Sequence, residues 1–433
     1  MKAVISNRIY IRPDRELLAK IEEELSHKIE KKVPQKGLSK FKIAIETIRT
    51  YRLHGQGLVS IPRGRLDLLP EGTEIVDKTI GNSVPFPTPL LSARPEQQEV
   101  IDQVHSDCFI NAKVGWGKTF TALLIAAKLE QKTLIVTHNT MLRDQWITDV
   151  RRLFNIEPGV ITAGKFDIED HCIVIANVQT LTKHALTVSK EFGTLILDEA
   201  HHCPADTFAN IIDNSYAKYR IALSGTIIRK DGKHVIFKDY FGSVLFQPKQ
   251  SNTVNPEVRI IKTGVVLTPG ETWVKKINNL LYDTDYQEYI AVLAAKQISD
   301  GHRVLIIADR VEFLNNVKEL LGETCLLVTG STSYEEREQV KQRINSGSCK
   351  AIAGSRGIFS EGISVDSLSC VILAIPIANE ANLEQIIGRI MRIYPNKPKP
   401  LVLDLNFAGW ADKKQNDLRL GFYMKQGWDM EVV

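Results

Sequence analysis

The chain has 433 residues, 43% of them hydrophobic and 24% charged, with a formal net charge of +4, the make-up of a soluble globular protein with room for two or three domains. No apolar run approaches the roughly 20 residues that a membrane-spanning helix needs, and Met1 to Pro13 lacks the charged and apolar regions of a secretory signal. The six cysteines (108, 172, 203, 325, 349, 370) are scattered, with no Cys-x-x-Cys pair, which argues against a zinc site and a disulfide framework and points to a reducing, cytoplasmic location.

The charge is unevenly placed. Residues 1–85 hold 16 Lys and Arg against 11 Asp and Glu, and a basic first segment suits contact with a phosphate backbone. For Lys28 to Lys42 alone, a solvated helix face of mixed charge accounts for the pattern equally well. In this segment residues 2–11 read as a strand. Leu17, Leu18, Ile21, Leu25 and Ile29 recur at helical spacing and predict a helix from about Asp14 to Lys32, which Pro34 and Gly37 break. Leu58 to Leu69 reads as strand and turn around Pro62-Arg63-Gly64. Pro85, Pro87 and Pro89 cannot form regular helix and mark a linker, so a small α+β N-terminal domain is placed at 1–85.

From Arg94 to about Gly225 short apolar runs alternate with helical patterns. The strand candidates are 108–112, 133–137, 173–176, 194–198 and 219–224, with helices at 119–129 and 141–154 between them. A second alternation begins near Arg303, with strands at 303–308, 324–328, 351–354, 370–374 and 400–404. This is the pattern of parallel strands joined by crossover helices. It predicts an α/β chain with two tandem lobes, 86–228 and 229–433, the latter including an accessory element and a C-terminal extension. Within that element Trp273 and Tyr282 read as core aromatics, because large aromatics are usually buried, with a wedge as the alternative. Trp410 to Val433 is expected to dock back as helix or strand.

The strongest signal is Ala112-Lys113-Val114-Gly115-Trp116-Gly117-Lys118-Thr119. It follows a strand and opens a helix, the context that turns a phosphate-loop match into a site. Gly115 and Gly117 let backbone N–H groups approach phosphate oxygens, and the helix N-terminus adds its positive dipole end. Lys118 is expected to reach the β- and γ-phosphates, and the Thr119 hydroxyl to help hold Mg²⁺. Ala112 stands where the general pattern has Gly. Trp116 is unusual at a position that is normally small; it either covers the loop or stacks near DNA or the other lobe.

Asp198-Glu199-Ala200-His201 ends the apolar run Thr194 to Leu197, placing two carboxylates at a sheet's C-terminal edge. Asp198 is expected to bind Mg²⁺, and Glu199 to orient the attacking water, because phosphoryl transfer needs in-line placement more than covalent help. His201-His202-Cys203 has ligand-type side chains, but adjacent residues do not easily close on one metal.

With these motifs in hand, the order of elements over roughly residues 85–410 resembles the superfamily 2 helicases. Arg94-Pro-Glu-Gln97 is similar to that family's adenine-reading element. Val136-Thr137-His138-Asn139 through Arg143 to Gln145-Trp146 resembles the first DNA-contacting motif, and Thr162-Ala-Gly164 and Val178-Gln-Thr180-Leu181 the next two. Ser224-Gly-Thr226 stands where the family has Ser-Ala-Thr. Ser355-Arg-Gly357 through Glu361-Gly-Ile363 resembles the fifth motif, with an unusual Glu361. Gln385-Ile-Ile-Gly388-Arg389-Ile-Met-Arg392 matches the sixth, its two arginines three apart and so on one helix face. Arg229-Lys230-Asp231-Gly232 resembles the stretch that carries Arg-Glu-Asp in XPB-like helicases, with Lys230 replacing Glu.

The resemblance implies RecA-like lobes, use of ATP with Mg²⁺, and Arg389 and Arg392 as arginine fingers that stabilise transition-state charge. It implies DNA contacts at Thr137, Arg143, Thr180, Thr329 and Ser355. The N-terminal segment is similar to those of phage helicases of the XPB/UvsW-like branch, which implies branch migration of forks and four-way junctions in replication, recombination or repair, inside a host cytoplasm. The motifs alone leave open an RNA helicase, a duplex-DNA translocase, or a nucleotide-gated DNA-binding switch with little turnover.

Overall fold

The computed structural model describes residues 1–34, 41–113, 115–200, 205–225, 235–242, 244–248, 253–267, 270–361, 363, 365–408 and 410–433. The chain divides into two compact units, the first holding both the N-terminal segment and lobe one as far as Gln250, the second beginning at Ser251. None of the described helices is long and apolar enough to cross a membrane.

The N-terminal sheet runs Arg52–Leu53, Val59–Ile61, Ile9–Ile11, Lys2–Ile5, Glu74–Asp77. Ile9, Ile11, Val59 and Ile61 join Leu17 and Ile21 of the helix Arg15–Glu24, and Leu25 just after it, in a small core. The helix starts on Asp14, whose side chain accepts from the Leu17 N–H at 2.8 Å, an N-cap. It stops at Glu24 rather than Lys32, which corrects the sequence expectation. Ser26–Pro34 is a strand, paired antiparallel with Phe41–Arg49. Ile29 satisfies both the helical and the two-residue period. His27 and Ile29 turn inward while Lys28 and Glu30 turn out, and the two-residue period wins.

This segment is fastened to lobe one by buried charge. Arg8, Arg63 and Arg65 are each less than 9% exposed. Arg8 pairs with Asp213, which also takes Arg52 at 2.6 Å. Arg63 and Arg220 share Asp107, at 2.9 and 2.7 Å. Arg65, His27 and Thr50 converge on Asp239. Burial, and then the nearby charge of Arg220, pulls the Arg63 guanidinium down to about 10, so it keeps its proton at neutral pH. Backbone approaches backbone at the same seam, where a β-carbon on Gly64 would lie 2.2 Å from Gly242 N.

Lobe one is an eight-stranded sheet, ordered Lys165–Asp167, Gly159–Thr162, Ile173–Asn177, Thr133–Thr137, Thr194–Leu197, Tyr219–Ser224, Cys108–Asn111, Leu245–Phe246. Every pair is parallel except the first. The helix Ile236–Phe241 packs Phe237 and Phe241 into its core.

Lobe two is a seven-stranded parallel sheet, ordered Cys325–Val328, Ala351–Ser355, Val304–Ala308, Cys370–Leu373, Leu401–Ala408, Glu257–Val266, Asp429–Val432. The stretch at 257–266, expected in an accessory element, is therefore part of this sheet. The chain's end supplies both the helix Trp410–Gln426 and the edge strand beside Glu257–Ile260. Buried Arg419 fixes the helix to Asp404 at 2.8 Å. Trp273 and Tyr282 are exposed, not core, at 36% and 51%. The apolar face of their helix, Trp273–Tyr282, is filled by Ile277, Leu280 and Leu281 instead.

Candidate active site

The phosphate loop is set by the strand that feeds it. Cys108–Asn111 lies beside Tyr219–Ser224, and the Ala112 N–H donates to the Ser224 carbonyl at 3.0 Å. The chain then passes Gly115 and Gly117, with φ of 86° and 97°, a region that side-chain-bearing residues rarely adopt. It enters the helix Lys118–Leu129 with buried Trp116 between the two glycines. A β-carbon on Gly117 would lie 2.6 Å from Gln97 Nε2. Gln97 accepts from the Arg94 N–H at 3.0 Å, so Arg94 and Gln97 are brought against the loop. Lys113 precedes the turn; Val114 lies outside the described residues, as do His201, His202, Cys203, Thr226, Gly362 and the stretch 229–232.

Lys118 Nζ donates to the Ala112 carbonyl at 3.0 Å and stands 3.8 Å from Glu199 Oε1. Asp198 is buried. Its Oδ2 accepts from Trp146 Nε1 at 2.7 Å and its Oδ1 from the Glu199 N–H at 3.0 Å. Burial, reinforced by the charge of Glu199, pushes the Asp198 carboxyl up to about 6. Glu199 has φ 44°, a left-handed backbone that costs energy in a non-glycine residue and is often found where chemistry happens. Its Oε2 accepts from the Gly225 N–H at 3.4 Å, which ties the second carboxylate to the Ser224-Gly225 turn.

Thr119, in the first turn of its helix, and Asp198 offer the hard oxygen donors that Mg²⁺ prefers. Two protein donors suit an ion that keeps most of its water and leans on phosphate oxygens. A glycine cradle that a β-carbon would fill, beside these donors, fits a nucleotide with its metal.

Trp146 is a residue whose role the sequence motif did not reveal. Gln145-Trp146 was aligned with DNA contact, whereas Trp146 is 1% exposed and holds Asp198. The signal was present in Leu142, Trp146, Val150 and Leu153, which mark the buried face of the helix Thr140–Phe154. Trp146→Phe keeps the apolar bulk and removes the N–H. The expected result is a rise of about tenfold in the magnesium concentration that half-saturates phosphate release, the size typical of a lost partner to a metal ligand. An unchanged magnesium titration would reduce Trp146 to a packing residue.

The expected DNA-contact residues fare unevenly. Thr137 is fully buried, with its hydroxyl donating to the Asn139 carbonyl at 3.2 Å, so it supports a strand end and does not reach a ligand. Thr329 is likewise buried, its hydroxyl 2.9 Å from that of Ser331. Arg143 is partly exposed and paired with Asp144 at 2.7 Å. Thr180 and Ser355 are half-buried, one in the first turn of the helix Val178–His184 and the other closing the strand Ala351–Ser355. Strand ends of this kind are where ligands bind in parallel sheets.

In lobe two the helix Glu380–Ile390 carries buried Gln385, and Arg389 in its last turn. Arg389 Nε donates to the Phe359 carbonyl at 3.1 Å, and Arg392 pairs with Asp366 at 2.7 Å. The helix stops before Arg392, which bridges to Thr253. The two arginines do not share one helix face, which corrects the spacing argument.

Comparison with known proteins agrees with this architecture. Residues 90–229 match the family "Type III restriction enzyme, res subunit" and residues 285–394 the "Helicase conserved C-terminal domain". The chain is 39% identical to a probable helicase of Escherichia phage T5, over 99% of this chain and 95% of that protein. It is 27% identical to a putative ATP-dependent RNA helicase of Acanthamoeba polyphaga mimivirus, over 78% of this chain and 69% of that one. It is 25% identical to the ATP-dependent DNA helicase UvsW of Enterobacteria phage T4, over 74% and 70%.

Proposed function

Because the chain belongs to the superfamily 2 helicases of the UvsW-like branch, and is thus an ATP-dependent helicase, we propose that it acts on DNA, remodelling forks and four-way junctions. The reading rests on the hairpin Ser26–Pro34 and Phe41–Arg49, mounted on lobe one. Its inner face places Ile48 on the lobe-one core and His27 on Asp239 at 2.7 Å. Its outer face presents Lys28, Glu30, Thr47 and Arg49 to solvent. Between Lys28 and Lys42 the sequence holds Lys28, Lys31, Lys32, Lys36, Lys40 and Lys42 against a single acid, Glu30. A cationic arm fixed to a motor lobe suits a duplex arm beside the translocating strand, held by phosphate contacts that carry no sequence information.

In this reading Lys118 and the loop N–H groups hold the β- and γ-phosphates, with Arg94 and Gln97 at the base. Thr119 and Asp198 would hold magnesium, which would supply neutralising charge at the phosphates. Glu199 orients the attacking water and Gly225 passes its state to the strand end. Arg389 and Arg392 stabilise charge as the bond breaks, which couples hydrolysis to the relative movement of the lobes. Arg143, Thr180 and Ser355 are proposed to touch the tracked strand.

Removing residues 1–85 is a poor test, because it strands Asp213 and Asp239 without their cations and takes one of two from Asp107. Lys28→Glu with Arg49→Glu changes exposed charge alone. The expected result is junction binding weakened by roughly tenfold or more, with a reduced salt slope and unchanged basal phosphate release. Junction affinity equal to that of the unmodified chain would detach the hairpin from the substrate. A parallel panel of DNA fork, DNA junction and RNA duplex, each read by stimulated phosphate release, tests the choice of DNA; stronger stimulation by RNA duplex would reverse it.

A further inference from the structure

A second cluster of cations lies in lobe two, at the other edge of its sheet from Thr329 and Ser355. In a parallel sheet all strands start at one edge, and Ser355 and Thr329 lie at the opposite, carboxyl-terminal edge. At the starting edge, immediately before Val304–Ala308, Ala351–Ser355 and Cys370–Leu373, stand His302 and Arg303, Lys350, and Ser369. Together with the loop that carries Tyr394 and Lys397 they line a cleft of about 440 Å³ with no acidic residue in its wall. Such a volume is in the range of small-ligand sites.

The wall is ordered by its own contacts. Arg303 sits over the Tyr394 ring at 6.0 Å and donates to the Asn345 carbonyl at 3.3 Å. Ser369 Oγ accepts from the Arg303 N–H at 3.1 Å and lies 3.0 Å from His302 Nδ1. Lys397 Nζ donates to the carbonyls of Arg392 and Asp366 at 2.7 and 2.9 Å. Burial pulls the Lys397 ammonium down to about 8, with Asp366 opposing and Arg392 adding to the fall, so an incoming anion gains a cation that the protein has only partly neutralised. Asp300 and Glu257 lie near enough to act on His302 but do not line the cleft.

Three cations without a carboxylate among them are matched by more than one phosphate group. We propose that this cleft binds a ligand bearing two adjacent phosphates, supplied either by a nucleic-acid backbone or by a free polyphosphate. Its occupant shares Lys397 with the backbone of Arg392, so the site adjoins the loop that carries the second arginine finger.

Inorganic pyrophosphate titrated into the full chain carrying Lys118→Ala, which disables the phosphate loop, is the direct probe. One pyrophosphate per chain is expected by calorimetry, weakened about tenfold by adding Lys350→Glu, the size of one lost charge-assisted contact, and restored by Lys350→Arg. Lys350 is exposed, so the thermal midpoint of these variants should not move. Displacement by a short single-stranded DNA identifies a backbone ligand, and displacement by ATP but not by DNA identifies a free polyphosphate. No binding, or equal affinity with Lys350→Glu, overturns the proposal.

Discussion

Glu199→Gln is expected to lower phosphate release by roughly 10²–10⁴-fold, the usual contribution of a positioned proton acceptor, while ATP still binds. Gln keeps the shape and an acceptor oxygen for the Gly225 N–H at 3.4 Å. It removes the charge that faces Lys118 at 3.8 Å and the basicity that a water needs. Asp198 sits beside it, and the neighbouring negative charge helps to raise that carboxyl. Neutralising Glu199 therefore lowers Asp198 towards its ordinary range, and magnesium should bind at least as well as before. A drop in turnover with undiminished nucleotide affinity, read by single-turnover kinetics and a fluorescent nucleotide, separates chemistry from binding. If turnover survived, Glu199 would not be the water-positioning residue.

The second large effect is on stability. Arg8→Ala leaves Asp213 buried, and Asp213→Ala leaves Arg8 buried, each without its main partner; breaking such a pair costs about 3–5 kcal/mol. At roughly 2–4 °C per kcal/mol for a unit of this size, the thermal midpoint of the first unit should fall by about 6–20 °C. Arg52→Ala acts on the same carboxylate from a side chain that is 55% exposed, and should cost no more than about 1 kcal/mol. Calorimetry of the three variants decides between a rigid seam and a loose one. Equal, small shifts would mean that the N-terminal sheet is only tethered to lobe one. The seam also matters for function, because Asp107 precedes the strand into the phosphate loop and Arg220 lies on the strand that ends at Ser224.

Much of this was legible in advance. The strands of both sheets that carry motifs lie within a residue or so of where the apolar runs put them, because strands covered on both faces read as uninterrupted Val, Ile and Leu. The phosphate loop and the Asp198-Glu199 pair are local in sequence, and their setting is local too. What escaped was long-range. Arg8, Arg63 and Arg65 count as basic residues in the sequence and point to a phosphate backbone, yet their partners Asp213, Asp107 and Asp239 lie 44 to 205 positions away. Part of the apparent basicity is thus spent inside the protein, and the case for DNA contact shifts to the hairpin. That hairpin was itself hidden, since Leu25 and Ile29 continue the helical period past the true end of the helix. Thr137 and Thr329 were read as contacts from their motif positions; burial, which no single-chain pattern reports for a strand end, turns them into supports. Trp273 and Tyr282 failed the opposite way, because size alone predicts burial and Ile277, Leu280 and Leu281 of their helix fill the interface without them.

The most direct measurement is strand exchange in a synthetic four-way DNA junction with a fluorophore and quencher on opposing arms. The full chain with ATP and magnesium should separate the arms faster than it displaces the strand of a simple tailed duplex. AMPPNP, or Glu199→Gln with ATP, should bind the junction and leave the arms paired. A chain that hydrolyses ATP at full rate on the junction, with no arm movement and no displacement on either substrate, would contradict the remodelling function.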